Sequence, residues 1–227
     1  MAKRKVKYFQ LKGIVDDIHT VEAFEKLQVN LGFSSVNSKN QVIQITSSVQ
    51  DEGKTTVAVN LANSYAIKGS KVLVVDLDIR RPKIHRNFNQ VNENGVVDYI
   101  AGNIKKEDLI KKTTYGIDVV TTGSKTPFPV KILESEKIHE LLAEARSIYD
   151  YIILDTPPVT AVVDPIVISK YTDVVVFVVQ ADRAKKNAIK DSLKQLENAG
   201  ANIAGLVLTS VKARNSYYKK YYYEDNE

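Results

Sequence analysis

Short apolar runs recur along the chain, separated by longer segments in which apolar residues follow helical spacing. The runs are rich in β-branched residues and predict strands at residues 42–46, 72–75, 117–120, 151–154, 174–179 and 203–208. The longer segments predict helices at residues 20–32, 54–68, 96–101, 106–112, 136–147, 164–170 and 184–199. Gly69 and Gly200 directly follow two of these segments, at the position where a glycine commonly ends a helix.

The alternation of strands and helices predicts the fold class. The runs are apolar along most of their length, which indicates strands buried on both faces by helices. We therefore expect an α/β fold with a doubly wound, mostly parallel sheet flanked by helices. Ligands of such sheets bind at the carboxyl ends of the strands. We divide the chain into a basic arm and lead-in (1–19), one folded domain (20–212) and a mobile tyrosine-rich tail (213–227).

Composition narrows the class of protein. The chain is 44% hydrophobic and 26% charged, which are globular proportions. It has no cysteine, which excludes disulfides and cysteine-bound metals, and its three histidines form no zinc-hydrolase pattern. The apolar run 174–179 is far shorter than the roughly 20 residues that cross a bilayer. No secretory signal is expected, because no apolar segment follows the N-terminus.

The net charge of +5 is concentrated in the N-terminal arm. Four positive charges belong to Lys3, Arg4, Lys5 and Lys7, so the rest of the chain is close to neutral. A basic arm could contact acidic lipid or nucleic acid. Chain ends are more often solvated and mobile. We adopt that interpretation and expect no nucleic-acid partner.

Residues 48–56 form a P-loop pattern between a predicted strand and a predicted helix, with Ser48 in place of the first glycine. Gly53 lets the backbone approach a phosphate closely, and the helix that follows adds its positive end. Lys54 would neutralise the β- and γ-phosphates, and the Thr55 hydroxyl would bind Mg²⁺. The candidate nucleotide-binding residues are Ser48, Gln50, Asp51, Glu52, Gly53, Lys54, Thr55 and Thr56.

Acidic residues follow two other predicted strands. Asp76 and Asp78 come after residues 72–75, and Asp155 comes after residues 151–154, as a Walker B acid would. If the first strand continued, Asp76 and Asp78 would share a side near the γ-phosphate. The alternative is a helix N-cap and a salt bridge with Arg80 or Arg81. The candidate catalytic residues are Lys54, Asp76, Asp78, Arg80 and Asp155, and the candidate metal ligands are Thr55, Asp76, Asp78 and Asp155.

Together these segments resemble the bacterial tyrosine kinases of capsule and exopolysaccharide synthesis. Residues 42–56, 74–80 and 152–158 are similar to that family's Walker A, A′ and B motifs, and residues 123–135 match as well. The resemblance implies a P-loop fold related to the MinD and ParA ATPases. It also implies that Lys54 and Thr55 bind Mg-ATP, that Asp155 completes the metal site, and that Asp76 or Asp78 orients or deprotonates the attacking tyrosine.

The C-terminal residues 217–227 carry five of the chain's twelve tyrosines and no aliphatic residue. The resemblance implies that the phosphate acceptors are Tyr217, Tyr218, Tyr221, Tyr222 and Tyr223. It further implies a membrane-anchored adaptor of the polysaccharide co-polymerase type that activates the kinase, and a cognate tyrosine phosphatase. The expected location is the cytoplasm, with recruitment to the inner face of the membrane by the adaptor.

Several positions depart from the family pattern. Ser48, Gln50 and Asp51 replace the usual small or Pro-Gly residues of the loop, while Phe128 and Thr209 replace asparagines, the second of which often lies beside the adenine. The family's Glu-x-x-Arg-x-x-Arg motif, which supports ring assembly, reads Glu22-x-x-Glu25-x-x-Gln28 here. Because both arginines are missing, the sequence leaves a homo-oligomer open without supporting the ring.

Two other classes of function compete with the kinase. A MinD- or ParA-like ATPase switch would hydrolyse ATP without tyrosine transfer, but its signature lysine is replaced by Val49 here. A nucleotide-binding interaction protein would need no catalysis. We favour the kinase, because the tyrosine-rich tail accompanies a complete set of P-loop motifs.

Overall fold

The computed structural model describes residues 18–34, 40–113 and 115–211. The basic arm and the tyrosine-rich tail lie outside the described residues. In chain order the elements are α1 (Ile18–Phe33), β1 (Val42–Ser47), α2 (Lys54–Ile67), β2 (Val72–Asp76), α3 (Ile84–Asn87), α4 (Val96–Ile100), a 3₁₀ turn (Lys106–Asp108), β3 (Lys111–Lys112), β4 (Ile117–Val120), α5 (Pro129–Leu133), α6 (Glu136–Ile148), β5 (Tyr151–Asp155), α7 (Asp164–Ser169), β6 (Val174–Gln180), α8 (Lys186–Asn198) and β7 (Ile203–Thr209).

The strands form one sheet in the order β3-β4-β2-β5-β1-β6-β7. All neighbours run parallel except β3, which pairs antiparallel with β4 at one edge. The two strands that end in acids are adjacent, and their register places Asp76 beside Asp155. This architecture confirms the expected doubly wound, mostly parallel sheet.

Helices cover both faces of the central strands, which explains why those strands are largely apolar, whereas the edge strand β7 is partly exposed. On one face α2 packs against side chains such as Ile43 and Ile45 of β1, which are fully buried. On the other face α6 packs against Leu73 of β2 and Ile152 of β5, also fully buried. Each such side chain stabilises the fold by about 1.5–3 kcal/mol relative to exposure. Among the described helices, none combines the length and apolarity needed to cross a bilayer.

Most predicted elements are confirmed, with ends shifted by one or two residues. The helix predicted at residues 106–112 is wrong, because only a 3₁₀ turn forms there and β3 follows it. Long-range contacts decide this segment: the Lys111 ammonium donates to the carbonyl of Glu93 and to the hydroxyl of Thr121 beside β4. The short helices α3 and α5, of four and five residues, were not predicted.

The two residues that replace the family arginines on α1 make contacts within the chain. The Lys68 ammonium, just after α2, donates to Oε1 of Gln28 at 2.7 Å and lies 3.5 Å from Oε1 of Glu25. Both α1 side chains therefore tie α1 to α2. They form no carboxylate–guanidinium fork of the kind that two arginines would offer to a second copy.

Candidate active site

The P-loop joins β1 to α2 at the carboxyl edge of the sheet. Gly53 precedes α2 with a φ of 93°, a left-handed conformation that favours glycine. A Cβ atom there would lie 3.3 Å from Cγ2 of Thr209, so the close approach of β7 also disfavours a side chain. The first turn of α2 begins with a hydrogen bond from the Val57 amide to the Gly53 carbonyl at 2.9 Å.

Two predicted nucleotide-binding residues have side chains that support the loop from inside. The Glu52 carboxylate is fully buried and accepts from the Ser48 hydroxyl at 2.9 Å and from the Val49 amide at 2.8 Å. It also accepts from the Gln180 amide, which ties the loop to the end of β6. The Ser48 and Glu52 side chains therefore fix the shape of the loop, and any contact with a nucleotide would come from their backbone.

The remaining predicted loop residues line two neighbouring cavities. The first, of about 280 Å³, is bordered by Gly53, Lys54, Thr55 and Thr56. We call it the phosphate cavity. The second, of about 200 Å³, is bordered by Gln50, Lys54, Asp78 and Arg80 and by residues after β5. We call it the acceptor cavity. Asp51, Lys54 and Lys83 line both, so these three side chains stand between them.

Asp76 and Asp155 are buried side by side at the ends of β2 and β5. Burial raises the pKa of Asp155 to about 6. Burial, and then the charge of Asp155, raise the pKa of Asp76 well above its usual range. The Thr55 hydroxyl donates to Oδ2 of Asp155 at 2.6 Å, while Oδ1 of Asp155 is buried without a hydrogen-bond partner in the described part of the chain.

This arrangement fits a magnesium ion. A buried carboxylate oxygen without a partner, close to a second carboxylate, is electrostatically unfavourable until a cation neutralises it. Within residues 18–34, 40–113 and 115–211, no group of three or more acids, histidines or cysteines is arranged to hold a metal. Mg²⁺ commonly needs only one or two carboxylates, because water and substrate phosphates supply its other ligands. Thr55 and Asp155 are the residues that would hold it.

Asp76 and Asp78 differ sharply in their surroundings. Asp76 is the last residue of β2, and its Oδ2 accepts from the amides of Lys83 and Ile84, each at 3.0 Å. Its Oδ1 accepts from the Asp78 amide at 3.2 Å. Asp78 lies beyond the strand and lines the acceptor cavity, and burial raises its pKa. The strand ends at Asp76 and does not continue to Asp78, so the condition under which the two acids would share a side is not met.

The Arg80 side chain is oriented by Asp164, which the sequence analysis did not predict to be part of the site. Its guanidinium donates from Nε to Oδ2 of Asp164 at 3.0 Å and from Nη2 to Oδ1 at 3.2 Å. Asp164 is fully buried at the start of α7, whereas the Arg80 side chain is 41% exposed and lines the acceptor cavity. This two-pronged contact fixes the orientation of the guanidinium more tightly than a single hydrogen bond would.

Three cations hold the tip of the P-loop, where Gln50 and Asp51 stand in place of Pro-Gly. Arg81 donates to Oε1 of Gln50 at 2.7 Å, and Arg183 donates to the Gln50 carbonyl at 3.0 Å. The Lys83 ammonium lies 3.0 Å from Oδ1 of Asp51 and lowers the pKa of that carboxyl. Asp51 has a φ of 58°, unusual for a residue other than glycine. The ion pair thus joins the P-loop to the loop after β2.

The structure also places the remaining positions that depart from the family pattern. Thr209 ends β7, and its hydroxyl donates to the Glu52 carbonyl at 2.7 Å, so it contacts the P-loop backbone. Phe128 is 66% exposed and lines neither cavity. The five tail tyrosines lie outside the described residues.

Sequence reasoning missed Asp164, Lys83 and Arg183 as parts of the site. Asp164 precedes a proline at the start of a predicted helix, which is equally typical of a helix N-terminus. Its partner Arg80 is 84 residues away in sequence. A single sequence gives no signal for such a pairing. Lys83 and Arg183 lie outside the motifs and are found only through their contacts with the loop tip.

The chain is similar in sequence to a family model and to several known proteins. The family model described as an AAA domain matches residues 40–204. A tyrosine-protein kinase CpsD from Streptococcus agalactiae is 33% identical over 204 residues, covering 89% of this chain and 88% of that protein. A putative tyrosine-protein kinase in the cps region of Klebsiella pneumoniae is 35% identical over 200 residues, and the match covers 87% of this chain but only 28% of that longer protein.

Solved structures of both a tyrosine kinase and an ATPase are similar to the chain, to different degrees. The kinase domain of Escherichia coli tyrosine kinase ETK superposes with a TM-score of 0.79 at 33% identity, covering 87% of this chain and 79% of that one. The cell division ATPase MinD of Pyrococcus furiosus gives a TM-score of 0.63 at 25% identity, covering 74% and 71%. Both share the P-loop architecture, and the likeness to the kinase domain is greater by each measure.

Proposed function

This chain belongs to the bacterial tyrosine-protein kinases within the AAA-domain family, and we propose that it transfers the γ-phosphate of ATP to tyrosines of its own C-terminal segment. The observation that carries the proposal is the position of Lys54. Its largely buried side chain lines both the phosphate cavity and the acceptor cavity. A phosphate moving from nucleotide to acceptor would pass the same ammonium group throughout.

The phosphate cavity supplies positioning and charge. Phosphoryl transfer depends mainly on in-line placement and on neutralising the charge of the transferred group. The backbone around Gly53 and the start of α2 would bind the phosphates, while Lys54 would neutralise the β- and γ-phosphates. Thr55 and Asp155 would hold Mg²⁺, which when bound with the nucleotide would add further positive charge at the phosphates.

The acceptor cavity supplies the base. We assign that role to Asp78, which lines the cavity and whose pKa is raised by burial. A carboxylate with a raised pKa is a better acceptor for the tyrosine proton. Asp76 is held by three backbone amides and is fully buried, so its role is to shape the loop that presents Asp78. Arg80, aimed by Asp164, would stabilise negative charge on the group in transfer.

The position of β7 supports the tail as acceptor. Thr209 ends β7 in contact with the P-loop backbone, so the chain leaves the folded domain next to the site. From Val211 to Tyr223 the chain can extend to at most about 40 Å. The tail could therefore reach its own site or that of a neighbouring copy, with Tyr217, Tyr218, Tyr221, Tyr222 and Tyr223 as acceptors.

The wider setting is part of the same proposal. The Klebsiella relative is named for the cps region, which supports a role in capsular or exopolysaccharide synthesis or export. We place the kinase in the cytoplasm at the inner face of the membrane. A membrane-anchored adaptor would activate it, and a cognate tyrosine phosphatase would reverse its phosphorylation.

The test is to map phosphate on the protein. The purified chain is incubated with Mg-ATP, with and without the cytoplasmic peptide of a candidate adaptor, and modified residues are identified by mass spectrometry. We expect phosphate on residues 217–223, lost in Lys54→Met and retained in Lys131→Met, a matched change at an exposed helix position. ADP release without phosphotyrosine under either condition would instead favour the ATPase switch.

A further inference from the structure

A strongly basic depression lies beside the acceptor cavity. It has a volume of about 410 Å³ and is lined by Arg81, Lys83, His85, Arg86 and Lys125, together with Pro82 and Asn92. No acidic side chain is among these lining residues. We call this depression the basic pocket. Arg81 and Lys83 also line the acceptor cavity, so the two sites share a wall.

Two loops at the carboxyl ends of adjacent strands build the basic pocket. The first follows β2 and contains α3, which is anchored by the buried side chains of Ile84 and Phe88 and leaves Arg86 exposed. The second follows β4, the parallel neighbour of β2, and carries Lys125. Asn92 accepts from the Gly123 amide at 3.1 Å and donates to the Gly123 carbonyl at 3.1 Å. These contacts hold the second loop in place.

Most of the positive charge in the basic pocket is not compensated. Lys83 is paired with Asp51, whereas the Arg81 guanidinium donates to the neutral amide of Gln50 and forms no salt bridge among the described residues. In the described ranges, Arg86 and Lys125 have no carboxylate within salt-bridge distance. The pKa of His85 is lowered, first by burial and then by Arg86, so this ring contributes less positive charge than an ordinary histidine.

This cluster is a local feature and does not follow from the overall charge. Four of the five net positive charges of the chain are in the N-terminal arm, so the rest of the protein is close to neutral. Exposed cations gathered around one depression repel each other, and an anion bound between them removes that cost. A phosphate group is well suited, because arginines bind its oxygens with paired hydrogen bonds.

We propose that the basic pocket binds a phosphotyrosine of the C-terminal segment, residues 217–227, after that tyrosine has been modified in the acceptor cavity. This inference rests on the proposed function, which supplies the phosphotyrosine. Each phosphotyrosine carries a charge of about −1.5 to −2. Glu224, Asp225 and Glu227 add negative charge in the same segment. A modified tyrosine leaving the acceptor cavity would meet Arg81 and Lys83 first, because these residues line both sites.

Because the acceptor tyrosines are close together in the sequence, binding of one in the basic pocket can position the next for phosphorylation. Tyr217 and Tyr223 are six residues apart in the sequence. An extended chain covers about 3.4 Å per residue, so two of the five tyrosines can lie about 10–20 Å apart. One phosphorylated tyrosine held in the basic pocket would keep the next one close to Asp78. A phosphate in free solution or on a lipid headgroup has the same charge but is not tethered to the acceptors.

The test uses binding and does not need catalysis. The full chain carrying Lys54→Met, which keeps its own tail unmodified, is titrated into a fluorescent peptide of residues 215–227 with phosphate on Tyr221 and Tyr222. Fluorescence anisotropy is measured at physiological salt. We expect the phosphorylated peptide to bind at least about tenfold more tightly than the unmodified peptide. Arg86→Glu with Lys125→Glu should abolish that difference.

A matched control separates the basic pocket from net charge. Lys190→Glu with Lys194→Glu makes the same charge change at exposed positions of α8 and should leave binding unchanged. Equal loss in both pairs, or equal binding of the two peptides, would overturn the proposal. Inorganic phosphate competing at the same phosphate concentration would assign the pocket to free phosphate. Tighter binding to anionic phospholipid vesicles, lost in the pocket pair, would assign it to a membrane. Either result contradicts the tail assignment.

The result of the phosphopeptide-binding experiment can be distinguished from the result of the experiment that tests the proposed kinase function. If the phosphopeptide binds as expected but Mg-ATP produces no phosphotyrosine, the kinase assignment fails while the basic pocket remains a phosphotyrosine site. If phosphotyrosine forms on the tail but the phosphopeptide does not bind, the kinase stands and the basic pocket inference is wrong.

Discussion

The P-loop and the loop after β2 face the same pair of cavities, but different kinds of contact hold them. In the P-loop, Glu52 is fixed by Ser48 and Val49, which are four and three residues away in sequence. In the loop after β2, Arg80 is aimed by Asp164, 84 residues away, and Lys83 is paired with Asp51, 32 residues away. The shape of the P-loop is therefore set partly by residues within the motif, with further anchors from Gln180 and Thr209, whereas Arg80 on the acceptor side is oriented by a residue far away in sequence.

This difference separates the part of the site shared by many P-loop proteins from the part that selects an acceptor. Holding phosphates requires backbone amides, one lysine and a magnesium site, all supplied by the ends of three neighbouring strands and the start of α2. Transfer of the γ-phosphate to tyrosine instead of water requires that the lining of the acceptor cavity place a base next to the tyrosine and exclude solvent. That lining consists of Asp78, Arg80 and the residues after β5. We expect substitutions on the two sides to have different effects.

Substitutions of Asp76 and Asp78, at the end of β2 and just after it, should show the largest difference in their effect on phosphorylation. Asp78→Asn removes a base that lines the acceptor cavity, so we expect tyrosine phosphorylation to fall about 10²–10⁴-fold, with ATP affinity and melting temperature nearly unchanged. Single-turnover phosphorylation and nucleotide titration measure the two quantities. If Asp76→Asn abolished activity without affecting folding or the melting temperature, while Asp78→Asn remained active, the assignment of the base would be reversed.

The second largest effect is the pH dependence that Asp155, a candidate magnesium ligand, gives to the free energy of unfolding. The pKa of Asp155 rises from the ordinary value of 3.8 to about 6 on folding. The folded state thus binds protons more tightly, so this contribution to stability is complete below pH 4 and is lost as pH rises to about 6. At about 1.4 kcal/mol per pKa unit, the contribution is up to about 3 kcal/mol.

Asp155→Asn removes this titration. Without nucleotide or Mg²⁺, the variant should gain stability relative to the unsubstituted chain between pH 4 and pH 7. Denaturant unfolding at several pH values measures the difference. Ionisable groups remote from Asp155 largely cancel in the subtraction, whereas the pKa of Asp76, which the charge of Asp155 raises, should be lower in the variant. A difference that is constant with pH would show that Asp155 titrates normally and would remove the electrostatic argument for a cation there.

A smaller loss is expected from Asp164, which acts through Arg80. Asp164→Asn keeps the side-chain volume but replaces one of the two accepting oxygens with an amide donor, so the guanidinium loses its fixed orientation. We expect about a tenfold decrease in kcat with little change in the KM for ATP, since ordinary P-loop contacts remain. In Arg80→Ala the same Asp164 change should have no further effect on kcat. Additive losses in the double variant would mean that Asp164 acts independently of Arg80.

The smallest effect should come from the loop tip that joins the two regions. Asp51→Gly relieves a left-handed conformation, which costs roughly 1–2 kcal/mol for a residue with a side chain, and removes an exposed ion pair that is worth little. It also removes a negative charge beside the phosphate cavity. We expect a slightly higher melting temperature and a severalfold lower Kd for ATP. A weaker affinity for ATP would show that the Asp51–Lys83 pair prepares the cavity for nucleotide.

The difference between local and long-range contacts also explains which parts of the fold and the site could be predicted from the sequence. All strands except β3, most helices and the P-loop were predicted, because apolar runs and a compact motif are local signals. The segment at 106–112 was predicted as a helix and is a 3₁₀ turn followed by an edge strand, because contacts from Lys111 to Glu93 and Thr121 outweigh helical propensity. The sequence left open which of Asp76 and Asp78 is the base, because hydrogen bonds from the amides of Lys83 and Ile84 to Asp76 distinguish the two acids only in the folded structure.

The most direct test of the account follows the γ-phosphate through one turnover. The full chain, in excess over ATP labelled at the γ-position and with Mg²⁺ present, is quenched at successive times, and the label is divided between phosphotyrosine and free phosphate. We predict that most of the label appears on residues 217–223 before any appears in solution, and that Asp78→Asn slows this transfer while the amount of bound ATP stays constant. Label that appears first as free phosphate, at a rate independent of Asp78, would contradict it.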